Sequence, residues 1–251
     1  MSLLSNEPRT SHLLHPVNRV APGGRLQGAA PGIPVVVRYT LTKESGNEDS
    51  TLRGGAYLND ASNNPACTAG FVMRKTSDGS KRLGTAGHCV AEGGGLGGNA
   101  TYKLYGSEGG STTTVSYTWY RYAATDPDLG LTTTGSFTPY PSFYYAPGDL
   151  REVLYSASSR ADVGTQLCHQ GIYSGQACGP VTDSVVNLPT GCCATDVAAA
   201  HGGGDSGGPW YWGYRAFGIH KGYDPNTLSQ DAAFTPIHLY GGYGLEVWTA
   251  P

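Results

Sequence analysis

Charge is the first thing this chain is short of. Asp, Glu, Lys and Arg make up 14% of its 251 residues, against about a quarter in an ordinary globular protein, and the formal net charge is only −3. That leaves no basic field to attract a nucleic acid, and no apolar run is long enough to span a membrane as a helix. Neither kind of partner is expected. The six cysteines contain no C-x-x-C pair, which argues against a zinc site and for disulfides. Disulfides belong to an oxidising compartment, so a secreted, extracellular protein is expected. Met1-Ser2-Leu3-Leu4-Ser5-Asn6-Glu7 lacks the basic start and apolar core of a signal peptide, which places any such signal outside this sequence.

What the chain has instead is glycine, 38 residues of it, and 17 tyrosines. With few helix formers, that composition reads as an all-β protein of one or two compact units. The glycines are densest at Gly202-Gly203-Gly204-Asp205-Ser206-Gly207-Gly208-Pro209. Here backbone amides can approach a substrate with no side chains in the way, which makes Ser206 a candidate nucleophile. A serine hydroxyl needs a base to take its proton and a third group to fix that base's tautomer. Thr85-Ala86-Gly87-His88-Cys89 and Asp128-Leu129-Gly130-Leu131 supply both. Gly204-Asp205-Ser206-Gly207-Gly208 also fits the G-x-S-x-G elbow of α/β-hydrolases, in which the acid and histidine follow the serine. Asp224, Asp231, His220 and His238 do follow it, but too little chain remains for the repeats of that fold, and its flanks lack helical periodicity.

The histidine, aspartate and serine motifs, in that order, resemble the chymotrypsin-like serine peptidases, in particular their bacterial streptogrisin and alpha-lytic branch, from about Arg53 to the C-terminus. The resemblance implies two six-stranded antiparallel β-barrels with the site between them. It divides the chain into an N-terminal extension (1–51), a first barrel carrying His88 and Asp128 (52–135), an inter-barrel linker (136–148) and a second barrel carrying Ser206 (149–251). In the extension, Ile33 to Leu41 suits a strand, as a remnant of a pro-segment, an added edge strand or a wrapping extension. Leu52-Arg53-Gly54-Gly55 looks like the start of mature streptogrisin-type enzymes, so a cut near Leu52 would release a zymogen's pro-region; an ordinary Gly-Gly turn is the other reading. Strands are expected at Ala69 to Lys75, Lys81 to Thr85, Thr101 to Tyr105, Thr112 to Tyr122 and Leu129 to Thr134. In the second barrel they are expected at Arg151 to Tyr155, Gly164 to His169, Val181 to Leu188, Gly208 to Trp212, Arg215 to His220 and Asp231 to Thr235. The C-terminus should hold at most a short helical turn around Pro236 to Tyr240.

By the same resemblance, Cys67 pairs with Cys89 and Cys168 with Cys178. Cys192 and Cys193 are adjacent, either a vicinal disulfide or two free thiols. His88 would be the general base and Asp128 its orienting acid, with Asp126 as the competitor. The amides of Gly204 and Ser206 would form an oxyanion hole. Asp205 needs a positive partner, and His169 stands where bacterial relatives carry an arginine. Phe217-Gly218-Ile219-His220-Lys221-Gly222 falls on the substrate-binding strand, and its Gly-Ile-His resembles glutamyl endopeptidases, whose histidine contacts an acidic side chain. His201, Gly203, His220, Lys221, Gly222 and Tyr223 are therefore the candidate substrate-binding residues.

The expected activity is a serine endopeptidase, monomeric and acting on protein or peptide substrates, with preference for glutamate or another acidic residue at the cleavage position. Apolar preference, as in streptogrisins, is the alternative, and a non-catalytic peptidase-like binding protein is the alternative of another class. No cofactor is expected. Neither Asn59-Asp60 nor Asp224-Pro225-Asn226 has the dense ligand pattern of a calcium loop, so no essential metal is expected either.

Overall fold

A computed structural model describes residues 50–251, apart from 92–95, 97, 105–110, 124, 147 and 189–190. The strand expected at Ile33 to Leu41 and Tyr105 of the Thr101 to Tyr105 strand lie outside the described residues. The described chain folds mostly as antiparallel β-structure, and its architecture is that of two chymotrypsin-type barrels.

The second half closes on itself. Gln166–Gly171 pairs with Gly175–Leu188, which pairs with Gly191–Val197, then Ala232–Pro236, Arg215–Tyr223 and Pro209–Trp212, and the last returns to Gln166–Gly171. Six strands thus leave no free edge, which removes the hazard of unpaired amides. The first half forms a sheet ordered Pro65–Thr68, Tyr57–Asn59, Asn99–Lys103, Thr112–Arg121, Leu129–Thr132, Lys81–Thr85, Val72–Lys75 and Leu245–Val247. Its outermost strand is contributed by the end of the chain, with Leu245 opposite Lys75 and Val247 opposite Met73.

Alternation of apolar and polar residues explains which face of each strand is buried. Leu58, Leu83, Tyr102 and Val115 fill the first core, while Leu167, Val181, Val197, Trp210 and Phe234 fill the second. Between them Phe71, Met73, Leu129 and Leu131 from one sheet meet Tyr211 and Ile219 from the other. Each fully buried side chain of this size contributes about 1.5–3 kcal/mol of transfer free energy, so the two halves share a core. Leu129–Thr132 is buried at every position, as a strand with neighbours on both edges and packing on both faces should be. That burial carries Asp128, the residue before it, into the interior.

Residues 136–148 do more than cross between barrels. Thr138–Ala146 is the middle strand of a three-stranded sheet, parallel to Thr51–Gly54 and antiparallel to Asp149–Glu152. Pro139 and Pro141 argue against a central strand, yet they are tolerated because Pro139 pairs only with Leu52, and the Asp149–Glu152 pairing begins beyond them at Ser142. At the other end, Ile237–Tyr243 forms a 3-10 helix longer than the turn expected there, ending on Gly244 with φ 69°. The expected pairs Cys67–Cys89 and Cys168–Cys178 are bonded, and Cys192 and Cys193 form a vicinal disulfide.

The Cys67–Cys89 bridge spans 22 residues. By chain-entropy reasoning, replacing both cysteines with alanine is expected to lower the unfolding free energy by roughly 3 kcal/mol, read as a fall in the urea midpoint at unchanged slope. An unchanged midpoint would show that the loop is held by other contacts.

Candidate active site

His88 stands on a single helical turn, Gly87–Val90, between two strands of the first sheet. The turn lies so close to its neighbours that a Cβ on Gly87 would come within 2.7 Å of the Leu129 carbonyl oxygen, which is why glycine precedes the histidine. From the buried strand end opposite, Asp128 accepts two hydrogen bonds from the same residue. The His88 backbone N–H donates to Oδ1 at 2.8 Å and the ring Nδ1 to Oδ2 at 2.6 Å. Asp128 is 1% exposed, and its own carbonyl accepts from Thr235 Oγ1 at 3.2 Å. An ionised carboxylate can only accept, so the proton sits on Nδ1 and leaves Nε2 as a free base. Asp126, the competing acid, instead uses its carbonyl to accept from the Cys192 N–H at 3.1 Å.

Ser206 follows a turn that the sequence holds from several sides. Thr68, next to Cys67, donates from Oγ1 to the Gly204 carbonyl at 2.8 Å and from its backbone N–H to the Ser206 carbonyl at 2.8 Å. Gly207 takes φ 91°, a left-handed value that strains any residue with a Cβ. Its N–H donates to the His220 carbonyl at 2.8 Å. His88 Nε2 and the Ser206 carbonyl oxygen both lie within 4.0 Å of Cys89 Sγ, so the base and the serine are neighbours across the disulfide. Among the described residues nothing accepts from the N–H of Gly204 or Ser206, and the Ser206 hydroxyl has no hydrogen-bond partner. Catalytic hydrogen bonds are commonly long in a substrate-free site and tighten when substrate binds.

Asp205 is fully buried, and its counter-charge differs from the one expected. The Tyr173 and Ser174 N–H groups donate to Oδ1 at 2.9 and 3.0 Å, and the Gly202 N–H donates to Oδ2 at 2.7 Å. His169 does not pair with it. The His169 ring donates from Nε2 to the Ala200 carbonyl at 2.8 Å, and its Nδ1 is buried without a partner. Three amides suffice because each charge-assisted hydrogen bond is roughly twice as strong as a neutral one. Asp205→Asn would set an amide NH₂ against at least one of those N–H groups. The expected outcome is a drop of about a hundredfold in kcat/KM and a lower Tm, measured on a chromogenic peptide and by thermal scan.

A cleft of about 350 Å³ opens beside the base, lined by His88, Tyr122, Leu188, Lys221, Gly222, Tyr223 and Pro225. Three of the expected substrate-binding residues, Lys221, Gly222 and Tyr223, therefore share a wall with His88. Lys221 is 4% exposed; burial lowers its pKa, and the nearby Asp128 charge opposes that shift. Gly203 is exposed at the turn. His201 stacks on Tyr223 at 5.4 Å and donates from Nε2 to the Gln230 carbonyl at 2.8 Å.

Behind the wall, the rings of His169, Trp210 and His220 form a triangle, with centroids 4.7 Å apart for His169 and Trp210, 5.0 Å for His169 and His220 and 6.1 Å for Trp210 and His220, and His201 lies 6.2 Å from His220. Desolvation holds His220 well below its ordinary pKa, with the neighbouring histidines adding to the effect, and it lowers His169 as well. Trp210 Nε1 donates to His220 Nδ1 at 3.2 Å. Because an indole can only donate, the neutral His220 ring carries its proton on Nε2. Tyr122, Leu188, Pro225 and Thr68 are site residues that the motifs do not mark. Tyr122 and Leu188 each had a signal, as the last residue of an expected strand.

No family model and no curated protein sequence matches the chain, so the likeness to known proteins lies in three dimensions. Protease A of Thermobifida fusca superposes with a TM-score of 0.59 at 26% identity, over 80% of this chain and all of that one. Cellulomonas bogoriensis chymotrypsin gives 0.59 at 23%, over 80% and 100%. A glutamic acid specific serine protease described as utilising a novel histidine triad in substrate binding gives 0.61 at 24%, over 78% and 100%.

Proposed function

We infer that this chain, a serine endopeptidase by its likeness to bacterial chymotrypsin-like serine proteases, cuts peptide bonds with His88, Asp128 and Ser206. The observation that supports this most is the His88–Asp128 pair, which engages Nδ1 and turns Nε2 away from Asp128, with Ser206 as a neighbour across the disulfide. As Ser206 Oγ attacks the scissile carbonyl, its proton passes to His88 Nε2, and Asp128 stabilises the imidazolium without being protonated itself. The oxyanion is met by the Gly204 and Ser206 amides, each worth about 3–4 kcal/mol of barrier. On collapse the amine leaves with the proton from His88. Water then hydrolyses the acyl-enzyme by the same steps reversed. Three disulfides suit an oxidising, extracellular setting for this work.

The acidic preference follows from the histidine group. A neutral His220 with its proton on Nε2 is a donor with no carboxylate of its own, so a glutamate side chain reaching it would gain a charge-assisted hydrogen bond. That a structurally similar protease specific for glutamic acid uses a histidine triad favours this reading over the apolar one. The test is a peptide-library digest with wild type beside Ser206→Ala, with fluorophosphonate labelling of both. Cutting after glutamate by wild type alone, with label on Ser206, is the expected result. Equal cutting after leucine or phenylalanine would end the acidic proposal, and no labelling would end the catalytic one.

A further inference from the structure

Asp196 is a buried carboxyl group with no cation paired to it among the described residues. It sits on the Gly191–Val197 strand, directly opposite Asp183 on one side and Ala233 on the other. It is 1% exposed, and among the described residues no donor reaches either of its oxygens. A buried acceptor without a partner costs about 1–3 kcal/mol, and more when charged. The Asp224 carboxyl lies within hydrogen-bonding reach of it, with Asp231 and Asp183 nearby.

Asp224 and Asp231 close the hairpin between Arg215–Tyr223 and Ala232–Pro236, where the Asp224 N–H donates to the Asp231 carbonyl at 2.9 Å. Asp224 Oδ1 accepts from the Asn226 N–H and Nδ2, both at 2.8 Å, while its Oδ2 accepts nothing among the described residues. The Asp231 oxygens are taken by the Thr182 and Ser229 hydroxyls. Two carboxylates, each with oxygen to spare, therefore face one another at the root of a loop, in a group of four acids. Among the described residues no Lys, Arg or His pairs with any of the four.

We propose that Asp196 and Asp224 form a binding site for a divalent, oxygen-seeking cation of the calcium class, completed by water. The donors are all oxygens, with no imidazole or thiolate among them, which selects calcium over zinc or copper. Two protein carboxylates with water for the rest make a weak site, with Kd on the order of 10⁻⁴–10⁻³ M, the range of extracellular modules. The cation would tie the Gly191–Val197 strand to the Asp224–Asp231 hairpin. That hairpin carries Tyr223 and Pro225 of the cleft wall, and Gln230, which receives the His201 hydrogen bond. If the peptidase reading holds, the ion therefore braces the substrate-binding wall.

The test uses the full chain carrying Ser206→Ala, so that self-cleavage cannot intervene and the outcome is independent of catalysis. After chelation, calcium chloride is titrated while Tm and calorimetric heat are followed. The expected result is saturable binding and a rise of roughly 5–10 °C at a hundredfold excess over Kd. Asp196→Asn should abolish both and raise the Tm of the calcium-free protein, because repulsion is relieved. Asp224→Asn serves if the first variant fails to fold, and Asp183→Asn should respond as the parent does. Equal Tm with chelator and with calcium, or an undiminished response in both Asp196→Asn and Asp224→Asn, would overturn the proposal.

Discussion

Ser206→Ala is expected to leave a folded protein whose kcat/KM on a cleavable peptide is lower by about 10⁵- to 10⁶-fold. The size follows from what the substitution takes away. Without the hydroxyl there is no acyl-enzyme, and the polarised His88–Asp128 pair has no proton to receive. The residual rate, about 10³–10⁴ above water, comes from the oxyanion amides and from binding. Stability should change little, because the Ser206 hydroxyl has no partner among the described residues and the backbone contacts from Thr68 and to His220 survive the change. The measurement is a pair of kinetic and thermal curves on wild type and variant. Equal activity in the two would refute Ser206 as the nucleophile, whatever the fold.

The second large effect concerns which peptides are cut. His220→Asn should lower kcat/KM on glutamate substrates by about 10- to 200-fold, the worth of one hydrogen bond to a charged group, and change leucine substrates far less. Asparagine suits the question because its Oδ1 can still accept from Trp210 Nε1, as His220 Nδ1 does at 3.2 Å, while the side chain ends short of the Nε2 position. The tilted packing of His169 against Trp210 is then kept, while its stacking on the His220 ring is lost. Since burial holds His220 well below its ordinary pKa, its donor is the neutral ring, and the wild-type preference for glutamate should persist into mildly alkaline buffer. Parallel loss on glutamate and leucine peptides would mark His220 as a packing residue only.

Some elements announce themselves in the sequence for local reasons. Lys81–Thr85 ends directly before the histidine turn, and the expected and observed strands coincide because turn residues bound it on one side and Gly87 on the other. The members of the proposed triad stand out because each lies in a short motif whose glycines have steric work to do. Elsewhere long-range packing decides. Pro139 and Pro141 disguised a strand, since the sequence does not say which neighbour pairs on which side. Leu245–Val247, three residues after a run of glycines, is a strand only because the Val72–Lys75 edge is there to receive it. The Asp205 partners were misjudged for a related reason: a family analogy points to a side chain, whereas the answer was backbone N–H groups, which leave no mark on composition. Asp196 is the extreme case, unremarkable in sequence and exceptional only once Asp224 is beside it.

That final strand bears on how the molecule is made. The sheet begun by residues near the start of the described chain cannot be finished until the ribosome has delivered Leu245 to Val247, after the entire second barrel. A nascent chain paused between the barrels would hold Val72–Lys75 as a raw edge, ready to pair with any stray segment. Completion of the first half thereby waits for residues 245–247, and Asp128 gains its Thr235 contact only once the second barrel has been made.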